Sequence, residues 1–219
     1  DFDKDFPAAP DGTPASEDFF TGMPSECAVG NILYSWNYAF DTRAFGGKEP
    51  KTIKDFFNTK KFPGKRAIYK SALTNLEIAL AADGVKLGDG GTRVYRKLLE
   101  EGGIDRAMNK IKALCQDPNG GCVFWSAGAQ PPELLVAGEV VMATGWNGRF
   151  FNAEVGENAP IKQVWDGQGL DYEYFALVKG GPDEANAKKA LAMMTNTEML
   201  AGSAKYIAYA PWRKSSLDV

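Results

Sequence analysis

Short runs of β-branched and aromatic residues alternate with stretches of helical periodicity along this chain, and that alternation restricts it to the α/β class. The longest strand pattern runs from Cys27 to Phe40, as one strand or two abutting ones. Thr52 stands where it would cap a short helix bearing Ile53, Phe56 and Phe57, and Phe62-Pro63-Gly64 forms a turn before a brief strand, Arg66–Tyr69. Behind Ser71, the residues Leu73, Leu76 and Leu80 share a helix face that stops at Gly84. Further helices are expected over 93–100 and from Ile104 to Leu114, where Ile104, Ala107, Met108, Ile111 and Leu114 recur at helical intervals. Strands at 123–126 and 140–144 flank a short helix opened by Pro131-Pro132. Strands at 161–165 and 172–178 precede a helix through Ala187, Ala190, Leu191 and Met194, then a last helix capped by Thr197. The segment Asp1 to Phe20, rich in Pro, Asp, Gly and Ala, reads as a connecting segment rather than the start of a core.

Charge and residue usage exclude several functions. The net charge of −3 provides no basic field for nucleic acid, and the densest positive run, Lys60, Lys61, Lys65 and Arg66, reads as a solvated face. No stretch approaches the roughly 18–20 apolar residues that cross a bilayer. No leader of basic then apolar residues opens the chain, as expected for a mature exported protein that has lost its signal peptide. With no histidine, neither a Ser-His-Asp or Cys-His nucleophile system nor a His-bearing zinc site can be assembled. Acid/base chemistry by carboxylates, Lys or Tyr stays open. There is no phosphate-cradling glycine loop and no Ser-x-x-Lys, while Trp125-Ser126-Ala127-Gly128 lacks the leading glycine of a nucleophile elbow. Neither a cofactor nor a metal is expected.

Cys115 and Cys122 bracket the turn-forming Gln-Asp-Pro-Asn-Gly-Gly; they fit either a disulfide in an oxidising compartment or two thiols, at a spacing wrong for a zinc or redox motif. Cys27 lies in an apolar run and is expected to be a small buried hydrophobe.

Several segments, in order and spacing, resemble the spermidine/putrescine-type periplasmic solute-binding proteins of ABC transporters. They are Cys27-Ala28-Val29-Gly30-Asn31-Ile32 continuing through Tyr34-Ser35-Trp36, and Phe62-Pro63-Gly64-Lys65-Arg66-Ala67-Ile68 with the helix to Gly84. The strongest runs from Val123 through Ala127-Gly128-Ala129-Gln130-Pro131-Pro132-Glu133-Leu134-Leu135 and Gly138-Glu139-Val140 to Thr144-Gly145-Trp146-Asn147-Gly148-Arg149. Tyr172-Glu173-Tyr174-Phe175-Ala176 and Tyr206-Ile207-Ala208-Tyr209-Ala210-Pro211 complete the set. The resemblance implies a type II periplasmic-binding-protein fold, two lobes joined by crossover strands that close on a ligand. Its expected parts are a connecting segment and part of the first lobe over 1–26, most of the second lobe over 27–169, and a return crossover with part of the first lobe over 170–219. Relatives carry further segments before and after this region, so the chain is expected to be incomplete at both ends.

The implied function is that of a periplasmic, monomeric receptor, not an enzyme, which hands a small amine, polyamine or zwitterion to the membrane permease of an ABC importer. A carboxylate- or Tyr-based enzyme on a related fold and the ligand-binding domain of a sensor are the alternatives. Trp146 matches the tryptophan that relatives lay against the ligand, Glu173 an acidic residue facing a ligand amine, and Tyr209 a tyrosine of the cleft. Tyr34 and Trp36 lie on the outgoing crossover, and Asp171 stands beside Glu173. Aromatic faces and carboxylates are the groups that hold an ammonium. Relatives that bind spermidine place two acidic residues where this chain has Ser71 and Thr74. That departure disfavours a long polyamine and favours a monoamine or zwitterion, with Ser71 and Arg149 suited to a carboxylate.

Overall fold

Two long strands, β1 (Ala28–Asp41) and β5 (Ile161–Ala176), each begin in one unit of the molecule and end in the other. The computed structural model describes residues 2–20 and 27–219. One unit spans Ser35–Gly169; the other comprises the residues up to Tyr34 and those from Leu170 onward. The sequence reads as two strands over 161–178 because Asp166, Gly167 and Gly169 are breakers, but β5 runs through them. Gly167 makes this possible: it sits at φ +80°, and a Cβ there would lie 2.6 Å from that of Ile53.

In the larger unit, β3 (Cys122–Trp125), β2 (Arg66–Tyr69), β4 (Met142–Trp146), β1 and β5 lie side by side in that order. β2 is parallel to both β3 and β4, whereas β1 is antiparallel to β4, with Trp36 opposite Trp146 and Tyr38 opposite Thr144. Six helices flank them: α3 (Ile53–Phe57), α4 (Asn75–Ala82), α5 (Thr92–Leu99), α6 (Gly103–Gln116), α7 (Gln130–Val136) and α8 (Asn147–Phe151). Tyr38, Phe40, Phe56, Phe62, Ile68, Ile78 and Met142 form the main core, each such side chain contributing about 1.5–3 kcal/mol by leaving water. Thr52 caps α3 in a reciprocal box with Asp55. Cys115 and Cys122 form a disulfide that ties the end of α6 to the start of β3.

Three local expectations change. Arg66 does not share the solvated face of its lysine neighbours. It is fully buried and donates to the carbonyls of Phe56 (2.9 Å), Phe62 (2.6 Å) and Gly64, and burial lowers its pKa to about 10. Leu73 is exposed and lies outside α4. Thr74 turns the chain at φ 65°, and the Asn75 amide donates to the carbonyls of Tyr69 and Ser71, so the helix starts only at Asn75. On α6, Ala107 and Leu114 face inward with Ile111, leaving Ile104 and Met108 exposed.

In the smaller unit, α1 (Phe2–Asp5) and α2 (Ala15–Asp18) pack with α9 (Glu184–Met194) and α10 (Thr197–Ala204), while β6 (Ala210–Pro211) pairs with β1. The first twenty residues are therefore not a mere connector. Ala15 and Phe19 share a core with Val29 and Trp212, and the buried Asp18 carboxylate meets the buried Arg213 guanidinium at 3.2 Å. Asp18 also accepts from the Ser215 backbone N–H (2.9 Å) and hydroxyl (2.7 Å), which satisfies its remaining lone pairs. The cap of α10 is Asn196, whose side chain accepts from the Met199 N–H; Thr197 instead meets the Ser215 hydroxyl at 2.8 Å. Cys27, expected to be buried, is exposed just ahead of β1.

Candidate ligand-binding site

In α/β sheets the carboxyl ends of parallel strands are where side chains converge on ligands. β2, β3 and β4 here end in Tyr69, Trp125 and Trp146. Trp36, opposite Trp146 on β1, completes a cluster of four rings. Its ring centre lies 5.3 Å from that of Tyr69, 6.0 Å from Trp125 and 5.4 Å from Trp146, and Tyr69 and Trp125 are 4.6 Å apart. Trp36 and Trp125 are buried, whereas Trp146 and Tyr69 keep part of their surface open. Among the described residues, the indole N–H groups of Trp125 and Trp146 have no acceptor. Gly128, in the turn after β3, lets the Trp146 ring approach the backbone closely, where a methyl group would overlap it.

Directly after Trp146 the chain enters α8. The Asn147 side chain accepts the Ser35 N–H at 2.8 Å and fixes this corner to β1, and Arg149 stands exposed one turn on. Ser71 is exposed and its hydroxyl accepts from the Leu73 N–H, four residues ahead of the helix it was expected to open.

The smaller unit assembles a second group. The Tyr34 hydroxyl donates to Asp171 at 2.9 Å, and the rings of Tyr34 and Tyr209 lie 5.8 Å apart. Asp171 also accepts its neighbour Tyr172's N–H. Glu173, exposed, is two residues along β5, so strand alternation puts both carboxylates on one face. Tyr172 and Tyr174, on the opposite face, both pack on Trp212 with ring centres 4.9 Å away, and burial, then the nearby Tyr172 and Asp171, raise the Tyr174 phenol's pKa.

Of the expected residues, the structure thus brings Trp36 to Trp146, and Tyr34 to Asp171 and Tyr209. Tyr69 and Trp125 are additions; the signal that they carry is position, each being the last residue of a parallel strand. Chemically, the first group offers π faces, and the second offers carboxylates beside phenols. Among the described residues there is no cluster able to hold a metal ion, and no helix is long and apolar enough to cross a membrane.

A family described as bacterial extracellular solute-binding protein matches residues 2–219. A gamma-aminobutyric acid-binding protein of Pseudomonas aeruginosa is 39% identical over 206 residues, which are 94% of this chain and 55% of that protein. Among solved structures, the periplasmic binding protein MotA of A. tumefaciens B6 in complex with glucopine superposes with a TM-score of 0.82 at 30% identity, covering 93% of this chain and 60% of that one. The Atu4243 GABA receptor superposes at 0.77 with 28% identity, over 93% and 59% of the respective chains. The chain thus spans somewhat more than half the length of these relatives, and its fold is that of type II periplasmic binding proteins. Their counterparts are binding proteins of transporters rather than enzymes. By the match over nearly its whole length, the chain belongs to the bacterial extracellular solute-binding protein family.

Proposed function

We propose that this chain is the ligand-capturing part of a periplasmic receptor for an ABC importer, and that its ligand is a small amino-acid-like zwitterion delivered to a membrane permease. The observation that carries the reading is the segregation of charge between the two groups of side chains. Arg149 is exposed on α8, the helix that starts directly after Trp146, while Asp171 and Glu173 share one face of β5 and Asp171 meets Tyr34, which packs on Tyr209. An exposed guanidinium suits the carboxylate end of such a ligand. The carboxylates, with aromatic faces nearby, suit its ammonium end, and Trp146 suits the methylenes between. The two lobes would span about 27–169 and 170–219 with the residues ahead of β1, and the receptor would act as a monomer.

The relatives named for gamma-aminobutyric acid support a ligand of this length and charge. A polyamine is the finer alternative. It is disfavoured because Ser71 and Thr74 carry no charge where a spermidine receptor has acids, and Ser71 is exposed. Calorimetric titration of the full-length protein separates the two. Saturable binding of γ-aminobutyrate with weak or no binding of spermidine is expected; tight binding of spermidine and none of γ-aminobutyrate would refute the assignment.

A further inference from the structure

Next to the four-ring cluster, and wholly within the larger unit, lies a small recess with room for about one water molecule, partly open to solvent, whose lining includes Trp36, Tyr38, Thr74, Ile78, Thr144 and Asp166. Trp36 belongs to both features. Trp36 and Tyr38 alternate onto one face of β1, and Thr144 lies opposite Tyr38 on β4, so rings and a hydroxyl line the same side of the sheet. Asp166 enters from β5 just before the bend at Gly167.

Three polar groups of this lining, Thr74, Thr144 and Asp166, keep acceptor capacity, while Asn37 and Tyr38 spend their donors on Gln163 and the Thr52 carbonyl. The Thr74 hydroxyl already donates to the Leu73 carbonyl (2.6 Å) and that of Thr144 to the Ala67 carbonyl (3.4 Å), which leaves oxygen lone pairs for a ligand. Asp166 accepts the Ile53 N–H at 2.7 Å through one oxygen and has capacity left on the other. It is the one carboxylate in the lining, and neither Lys nor Arg is there to neutralise it. The charge reaches the recess's own wall: burial, then Asp55 and Asp166, raise the pKa of the Tyr38 phenol, against a smaller lowering by Arg66 behind it. A carboxylate would be repelled here. Asp166 is itself exposed, so a ligand ammonium would meet it at the mouth of the recess. The innermost space suits a group of roughly the size of a water molecule, which a primary ammonium is and a guanidinium is not.

We propose that this recess is a subsite for a second primary ammonium, so that the preferred ligand is an amino-acid-like zwitterion bearing one more amino group. The inference rests on the function proposed above and names its ligand class more closely. Asp166 would supply, from the return strand, a counter-charge that Ser71 and Thr74 do not.

The test compares γ-aminobutyrate with 2,4-diaminobutyrate, which differ by one amino group, by calorimetry on the full-length protein and its Asp166→Asn variant. An asparagine oxygen still accepts the Ile53 N–H, so the start of α3 keeps its partner. Wild-type protein is expected to bind the diamino ligand about tenfold more tightly, and D166N to erase that preference while leaving γ-aminobutyrate affinity unchanged. Thr144→Val, which removes an acceptor at nearly constant shape, should reduce the same preference several-fold and replaces D166N if that variant melts early. Equal affinity for both ligands in wild type, or an equal loss of both in D166N, overturns the subsite alone. Binding of neither ligand to wild type overturns the proposed function as well.

Discussion

Tyr34 and Asp171, 137 positions apart in sequence, are joined by a 2.9 Å hydrogen bond from phenol to carboxylate. The first lies on β1 and the second on β5, and both belong to the smaller unit, so the bond ties the two strands together there. Tyr34→Phe should leave the fold intact and weaken ligand binding several-fold, while Asp171→Asn should cost about ten- to a hundredfold. Calorimetry of both variants checks this; equal, negligible effects would show that Asp171 does not face the ligand.

Gly128 is the backbone on which Trp146 rests, and a Cβ there would overlap the ring. Gly128→Ala is expected to displace Trp146 and reduce affinity about tenfold, with an overpacking cost to stability of about 1–3 kcal/mol. Denaturant unfolding and titration of the same sample separate the two effects.

The Asp18–Arg213 pair is buried at both ends, and burial lowers the Arg213 pKa despite the nearby carboxylate. Asp18→Ala leaves a guanidinium without a counter-charge in the core that also holds Phe19 and Trp212. The expected loss is about 3–5 kcal/mol in urea unfolding. A loss below about 1 kcal/mol would mean that water reaches Arg213.

Asp55 shows the sign of the acid response. Burial pushes its pKa up, but the Lys51 and Thr52 N–H groups and the Lys61 ammonium outweigh this and hold it below the ordinary value. A carboxyl depressed in the folded state stabilises the protein above its unfolded pKa, and that contribution is lost as pH falls through the folded value. Asp41, whose burial is outweighed by Arg43, acts in the same direction. Stability should therefore decline as pH drops below about 4, and Asp55→Asn should flatten that decline in pH-dependent unfolding curves.

Much of the fold is legible in the residues, because strand and helix periods differ and the turn chemistry is explicit. Arg66–Tyr69, the Thr52 cap and the Pro131-Pro132 helix start are local signals, and the structure contains each of them. Where a distant partner decides, local reading fails. Arg66 is one of four neighbouring cations, but the carbonyls of Phe56 on α3 and of Phe62 in the turn draw it inside. Asp166 and the two glycines after it look like a break, but the chain stays extended there, its bend fitted to Ile53. The segment before Phe20 looks like a linker until Trp212 and Arg213, at the other end of the chain, close over it. Among the candidate site residues, Tyr34, Asp171 and Tyr209 meet, as do Trp36 and Trp146, whereas Ser71 lies outside the helix that it seemed to open. Tyr69 and Trp125 are invisible as site residues until the sheet order sets their strand ends side by side.

Equilibrium dialysis of the full-length protein against labelled γ-aminobutyrate, followed by chemical recovery of the label, probes capture without chemistry. Saturable, stoichiometric retention is expected, with the label released unchanged and retention lost in a variant lacking both Arg149 and Asp171. Retention that survives that double substitution, or recovery of the label as a different compound, would contradict the account.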